Sequence, residues 1–233
     1  MNKEIIVRLE EVSSTQTHAK ALREQGKPVV VIAKRQTGGQ GTKNRSFSSK
    51  EGGLYFSKLS FYENFSAKDA FKLTQRTAVA VCKTLEDYGF APKIKWANDV
   101  FVNEKKICGI LIENTFSGAK LLSSVIGVGL NVNNALPSEL SQIATTMQAE
   151  RGVAFDLQEV EKRLLVYLNE EFFEEDYRVR LGWIGEQVAL EFSNERVHAT
   201  LLSVNGRGEL VVKIGGEIKE IAAGEISLRV NER

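Results

Sequence analysis

Residues 35–47, RQTGGQGTKNRSF, place three glycines, two arginines and a lysine in thirteen positions. Glycines let a backbone fold close to a ligand, and cations beside them suit a phosphate. The stretch is not a P-loop. That motif sets four residues between its first glycine and a Gly-Lys-Ser/Thr, whereas Lys43 lies between Thr42 and Asn44. A surface turn with solvated charges has the same composition, so the loop alone leaves both readings open.

A second candidate is KKICGILIE, residues 105–113. Strand alternation puts Lys106, Cys108, Ile110 and Ile112 on one face and Lys105, Ile107, Gly109 and Leu111 on the other. Both faces are apolar, which predicts a strand covered on two sides. Lys106 then enters a partly covered setting where an ammonium needs an anion. A lysine at the strand's start with its head in water fits the same letters. Gly109 weakens the strand unless a backbone or ligand comes close. KIKWAND, residues 93–99, adds Lys95, Trp96, Asn98 and Asp99. Tryptophan walls apolar or aromatic ligands, Asn and Asp read polar edges, and Asp helps hold magnesium. A core tryptophan before an Asx turn explains the same residues. Jointly these stretches point to a basic, partly apolar pocket for a carboxylate and a nucleotide phosphate.

The elements that must position them follow from patterning. EIIVRLEEV and PVVVIAKRQT read as strands flanking a helix near residues 15–25, with the hydroxyls of SST at its N-terminus. GGLYFSKLSF is a further strand. Residues 66–88 predict a helix, opened by Ser66 and Asp69 and ended by Gly89. A hairpin turns near Asn103-Glu104, and KLLSSVIGVGLNVN is another strand. Residues 156–176 predict a second helix, with Leu157, Val160, Leu164, Leu168 and Phe172 near one face. From about Gly185 short β runs alternate with turns such as NGRG and GG. The expectation is an α+β fold in which a mixed sheet with flanking helices spans residues 1–182. A small β-barrel at 183–233 follows, too short for a deep core of its own.

Bulk composition excludes other classes. The formal net charge is +1, against the large basic excess that broad nucleic-acid binding needs. Two cysteines, each in an apolar run, predict a reducing compartment without a disulfide framework. His18 and His198 stand apart, so no protein-only metal site is expected. Charges interrupt the apolar start, which is no signal peptide, and no run has the length of a membrane span. A cytoplasmic protein is expected.

The motifs together resemble biotin protein ligases, from about Glu10 to Arg229. Ser14, Thr15 and Gln16 are similar to that family's Ser-Thr-Asn start. QTGGQGTKNRSF matches its Gln-Thr-x-Gly-Arg-Gly-Arg-x-Gly-Arg-x-Trp loop and runs on into GGLYFS. KWAND resembles its Lys-Trp-Pro-Asn-Asp, KICGIL its Lys-x-x-Gly-Ile-Leu, and VIGVGLNVN and GEISLR fit in the same order. The resemblance implies a biotin/lipoate ligase-like catalytic domain followed by an SH3-like barrel. It implies two half-reactions: biotin and ATP form biotinyl-adenylate and pyrophosphate, then a lysine of a biotin carrier domain takes the biotin.

On this resemblance Lys106 and Arg45 are the catalytic residues. Biotin binding falls to Ser14, Thr15, Gln16, Gln36, Gly39, Gln40, Gly41, Thr42, Lys106, Gly109 and Ile110. ATP and the adenylate fall to Arg45, Phe47, Lys95, Trp96, Asn98, Asp99, Asn131 and Arg229, with magnesium arriving on ATP near Asp99. The chain departs from the pattern where Gln40 and Thr42 replace two arginines, Asn44 a glycine, Phe47 a tryptophan and Ala97 a proline. A guanidinium clamps phosphate as Gln and Thr cannot, so a looser hold on the adenylate is expected, with Lys43 or Arg45 partly taking over. Repressor members of the family carry a helix-turn-helix domain before the ligase motifs. Here the first motif starts at residue 14, and no DNA binding is expected. Members also pair along a sheet edge, leaving monomer and homodimer both open. Two other readings remain: a lipoate or octanoyl transferase of the same fold, and a non-catalytic biotin- or nucleotide-binding module.

Overall fold

The computed structural model describes residues 5–42, 45–192 and 195–222, and the backbone of 227–229. The chain opens as a parallel βαβ unit. Strand β1 (Ile5–Val12) leads to helix α1 (Thr15–Ala21), a 3₁₀ turn (Arg23–Gln25), and strand β2 (Val29–Gln36), which pairs parallel with β1. Ser14 caps α1 by accepting from the Thr17 amide, as its position before a helical run requires.

Strand β3 (Leu54–Ser66) returns antiparallel to β2. A 3₁₀ turn (Ala67–Asp69) capped by Ser66 then feeds helix α2 (Phe71–Asp87). Strands β4 (Lys93–Lys95), β5 (Asp99–Val102), β6 (Lys105–Ser117) and β7 (Lys120–Leu130) complete a seven-stranded mixed sheet in the order β1-β2-β3-β7-β6-β5-β4. The β5–β6 hairpin turns at Asn103 and Glu104, both at positive φ, at the predicted place.

Helices α3 (Met147–Arg151), α4 (Leu157–Asn169) and α5 (Glu174–Arg178) follow. The single helix expected over 156–176 is therefore two. The break falls in a run dense with glutamates, whose charge is unfavourable at a helix C-terminus, and Glu170 leaves the helix with ψ 162°. Phe172 still packs on the core from outside the helix.

The sheet is covered on both sides. Ala19 of α1 meets Val29, Val31, Leu59 and Val125 on one face. On the other, Ala78, Val81, Cys82 and Leu85 of α2 and Val160 and Leu164 of α4 pack with Val30, Ile32, Phe56 and Val128. Strands β8 (Gln187–Glu191), β9 (Arg196–Val204), β10 (Leu210–Ile214), β11 (Glu217–Ile221) and β12 (Ser227–Arg229) form a separate antiparallel sheet, ordered β11-β10-β9-β8-β12. Its Val188, Leu190, Leu201, Leu210 and Val212 join the main buried cluster, which offsets its small size. Among the described residues no helix is long and apolar enough to cross a membrane.

Candidate active site

A cavity of about 570 Å³ opens over the ends of β2, β3, β6 and β7. Its floor follows from register. Gly127 of β7 lies between Ser57 of β3 and Leu111 of β6, and Gly129 between Tyr55 and Gly109, on three neighbouring strands. Glycines at alternate positions of β7 remove side chains from one face and leave room above it. Neighbours fill that room: a Cβ on Gly127 would lie 2.5 Å from Gln16 Oε1, and one on Gly129 2.6 Å from the Phe47 ring.

One end of the cavity is a buried polar network. Thr15 donates to Gln36 Oε1 through its amide at 2.8 Å and its hydroxyl at 3.0 Å. Ser57 Oγ lies 2.9 Å from Thr15 Oγ1 and donates to Gln16 Oε1 at 3.0 Å. Both amides have a fixed sense, because Gln16 Nε2 donates to the Val125 carbonyl and Gln36 Nε2 to Ser49 Oγ. The row Gln36 Oε1, Thr15 Oγ1, Ser57 Oγ, Gln16 Oε1 thus ends in an acceptor at each side. Two hydroxyl protons serve three oxygen–oxygen contacts, so the row is one proton short. An acceptor-rich row of this kind suits a ligand that brings N–H donors.

The centre of the cavity is charged. Lys106 Nζ lies 2.7 Å from Asp99 Oδ1, with the two side chains 31% and 23% exposed. Alternation alone would put Lys106 and Gly109 on opposite faces, and that expectation is corrected here. Val100 pairs with Cys108 but Phe101 with Lys106, so Ile107 is an extra residue in β6. The bulge re-aims the lysine; a Cβ on Gly109 would meet Lys106 Cε and Nζ at 3.2 Å. Asn98 pins the facing segment: Nδ2 donates to the Ile110 carbonyl at 2.6 Å, and the Ile110 amide returns a bond to the Asn98 carbonyl at 2.9 Å. Burial pushes the Cys108 thiol well above its usual range, which removes it as a nucleophile.

Above lies the glycine-rich loop. The Gly41 amide donates to the Arg45 carbonyl at 2.6 Å, and the Phe47 amide to the Gly39 carbonyl at 2.8 Å. Arg45 is exposed, bonded to the Thr42 carbonyl at 3.3 Å and its hydroxyl at 3.4 Å. Lys43 and Asn44 lie outside the described residues. Lys95 reaches the cavity with its Nζ 5.2 Å over the Phe101 ring.

The cavity gathers Ser14, Thr15, Gln16, Gln36, Gln40, Gly41, Thr42, Arg45, Phe47, Lys95, Asn98, Asp99, Lys106, Gly109, Ile110 and Asn131. Two expected members stand elsewhere, and the side chain of a third is not described. Trp96 is 4% exposed in the core, its Nε1 donating to the Gly208 carbonyl at 3.0 Å; the apolar setting wins over a role as ligand wall. Gly39 packs under Phe47 and Ser49, leaving no space for a Cβ, and shapes the loop without lining the cavity. Arg229 ends β12 opposite Ala189, and its side chain lies outside the described residues.

Four contributors went unread in the sequence. Ser57 carried no signal beyond its strand, whereas Gly127 and Gly129 were legible as glycines at period two within a strand. Beyond VIGVGLNVN, the segment after β7 carries no motif in the sequence. Its Leu136, Leu140 and Ile143 give the cavity an apolar side. Asn131 shapes it, donating to the Thr145 carbonyl at 3.1 Å and accepting from Asn134, while the Lys106 amide bonds the Ile143 carbonyl at 2.9 Å.

With this geometry in place, similarity to known proteins bears on it. Residues 9–131 match the model of the biotin/lipoate A/B protein ligase family, and residues 183–229 that of the biotin protein ligase C terminal domain. The bifunctional ligase/repressor BirA of Bacillus subtilis is 31% identical over 238 residues, covering 93% of this chain and 72% of that protein. The Escherichia coli protein of the same name is 28% identical over 216 residues, covering 87% and 67%. A solved biotin protein ligase from Aquifex aeolicus, in complex with biotin and ATP, aligns over 97% of this chain and 98% of its own, with TM-score 0.77 and 30% identity.

Proposed function

The chain belongs to the biotin/lipoate A/B protein ligase family, and from that premise we propose that it is an ATP-dependent biotin protein ligase. The observation that carries the choice of biotin is the proton-short row of Thr15, Ser57, Gln16 and Gln36. A ureido ring brings N–H donors to it. A dithiolane or alkyl chain brings none and would leave the Thr15–Ser57 oxygen contact without a proton of its own, a mismatch that favours the donor-bearing ligand.

In this reading biotin's ring lies on the Gly127 side, and its tail runs past Phe47 toward Lys106. Lys106 exchanges Asp99 for the biotin carboxylate. A carboxylate oxygen then attacks the α-phosphorus of ATP, and the bond to pyrophosphate breaks. Lys106, Lys95 and Arg45 offset the developing charge. Asp99, relieved of its lysine, would hold a magnesium ion arriving with the nucleotide, and that ion would neutralise phosphate charge; one carboxylate suits an ion carried by phosphates better than a resident one. Leu140 and Ile143 present apolar surface to the base. In the second half-reaction the acceptor lysine's amine attacks the acyl carbon, and AMP leaves with the bonding pair. No protein nucleophile takes part.

The acceptor is a lysine on the biotin carrier domain of a carboxylase, and the working compartment is the cytoplasm. The catalytic domain is assigned to residues 1–182 and the small C-terminal domain to 183–233. A two-stage assay tests the reading: biotin-dependent pyrophosphate release from ATP, then labelling of a carrier domain. Equal pyrophosphate release with lipoate would replace it by the lipoate reading. Biotin binding without pyrophosphate release would leave a binding module.

A further inference from the structure

The chain has two tryptophans, and they stand on opposite sides of the junction between the two sheets. Each sends its indole N–H across. Trp96, just after β4, donates to the Gly208 carbonyl at 3.0 Å in the turn between β9 and β10. Trp183, at the entrance to the second sheet, donates to Glu104 Oε2 at 3.2 Å in the turn between β5 and β6. Both residues are 4% exposed, so neither indole can trade its partner for bulk water at no cost.

Both acceptors sit in turns built for the purpose. Gly208 has φ +81°, and a Cβ there would run into the Phe71 ring of α2. Asn205 Oδ1 braces that turn, accepting from the Arg207 amide at 2.9 Å and the Glu209 amide at 3.0 Å. On the other side, Glu104 at φ 61° and Trp183 at φ 62° both adopt the left-handed conformation that side chains resist. The Trp183 ring meets Phe101 edge-on at 5.4 Å. The backbone joins in, with the Ile94 amide bonded to the Arg180 carbonyl at 2.7 Å and the Gly182 amide to the Ile94 carbonyl at 2.9 Å.

These contacts converge on one end of the cavity. Trp96 begins the strap that carries Asn98 and Asp99, while Phe101 and Glu104 themselves line the wall beside Lys95. None of them touches the Thr15–Ser57 network at the other end. We infer that the second sheet positions the nucleotide end of the cavity through this reciprocal pair of indole bonds, with Trp96 and Trp183 as positioning residues for ATP and not for biotin. The inference rests on the ligase reading.

Trp96→Phe and Trp183→Phe, each in the full chain, keep an aromatic ring and lose the N–H. Biotin affinity is read by calorimetry without ATP, and the KM for ATP by pyrophosphate release at saturating biotin. Loss of one buried hydrogen bond predicts a KM for ATP raised about 5–10-fold in each variant, with biotin affinity unchanged. Unchanged biotin binding also certifies the fold, and the remaining tryptophan's emission reports its packing. If one variant loses its fold and biotin binding with it, the other carries the test. Parallel weakening of both ligands in both variants, loss of biotin binding in both, or no change in the KM for ATP overturns the inference. A wild-type chain that binds biotin but releases no pyrophosphate overturns the ligase reading instead.

Discussion

The two ends of the cavity are built to different standards. At the Gly127 end, Ser14, Thr15, Gln16 and Ser57 are all buried, and the side-chain amides of Gln16 and Gln36 have partners on both oxygen and nitrogen. At the loop end, Arg45 is exposed, and its side chain is bonded to Thr42 at 3.3 and 3.4 Å, near the limit for such bonds. The buried end holds its geometry before any ligand arrives, which lowers the cost of binding and sharpens selection. The loop end holds its cation at the surface, with only these long bonds to Thr42 among the described residues. In the proposed reading selectivity is therefore stored in the first region, and retention of the intermediate in the second.

Lys106 joins the two, and removing it tests both at once. Lys106→Ala deletes the cation proposed to meet carboxylate and phosphate, so adenylate formation should fall by about 10²–10³-fold in single-turnover pyrophosphate release. An adenylation rate equal to wild type would remove Lys106 from the mechanism. The next largest effect belongs to the buried end. Gln36→Ala leaves the Thr15 amide and hydroxyl without their acceptor, and calorimetry should show biotin bound about 10–100-fold more weakly. Unchanged affinity would mean that the network is structural only. Gly127→Ala is milder. Its Cβ would lie 2.5 Å from Gln16 Oε1, and displacing that one side chain should weaken biotin by about 10-fold, the equivalent of one lost buried hydrogen bond. The same Gly127→Ala chain should adenylate at near wild-type rate once biotin is saturating; a loss of rate there would show that the two ends are not separable.

The same division explains what the sequence made legible. Features set by local chemistry were readable: hydroxyls of SST at a helix N-terminus, where Ser14 is the cap, the hairpin turn near Asn103-Glu104, and the two strands flanking the first helix. Features set by register or by distant partners were not. Lys106 reaches the Gly109 face only because Ile107 bulges out of β6, and an extra residue in a pairing leaves no mark in alternation. Trp96 reads equally as ligand wall or core residue until Gly208, more than a hundred positions on, supplies an acceptor. Ser57 is one serine on a strand until β3 sets it beside α1. The apolar side of the cavity lies in the loop after β7, where Leu136, Leu140 and Ile143 are spaced as on a helix face but the chain forms only a 3₁₀ turn, Ser138–Leu140.

The smallest effect bears on the weaker region. Thr42 stands where the resembling loop has arginine, and its hydroxyl now accepts from Arg45 at 3.4 Å. A threonine offers one donor to a phosphate, whereas a guanidinium offers a planar fork and a permanent charge. Thr42→Arg therefore adds a charge-assisted contact to the adenylate without touching the buried network. Release of biotinyl-adenylate, followed by rapid dilution after single-turnover synthesis, should slow by about 10-fold. Biotin affinity measured without ATP should stay as it was, because the Thr15–Ser57 row lies at the opposite end. A Thr42→Arg chain that releases adenylate as fast as wild type would show that retention does not reside in the loop. One that also binds free biotin more tightly would show that the loop already closes over the first ligand, and the division between a selecting end and a retaining end would fail.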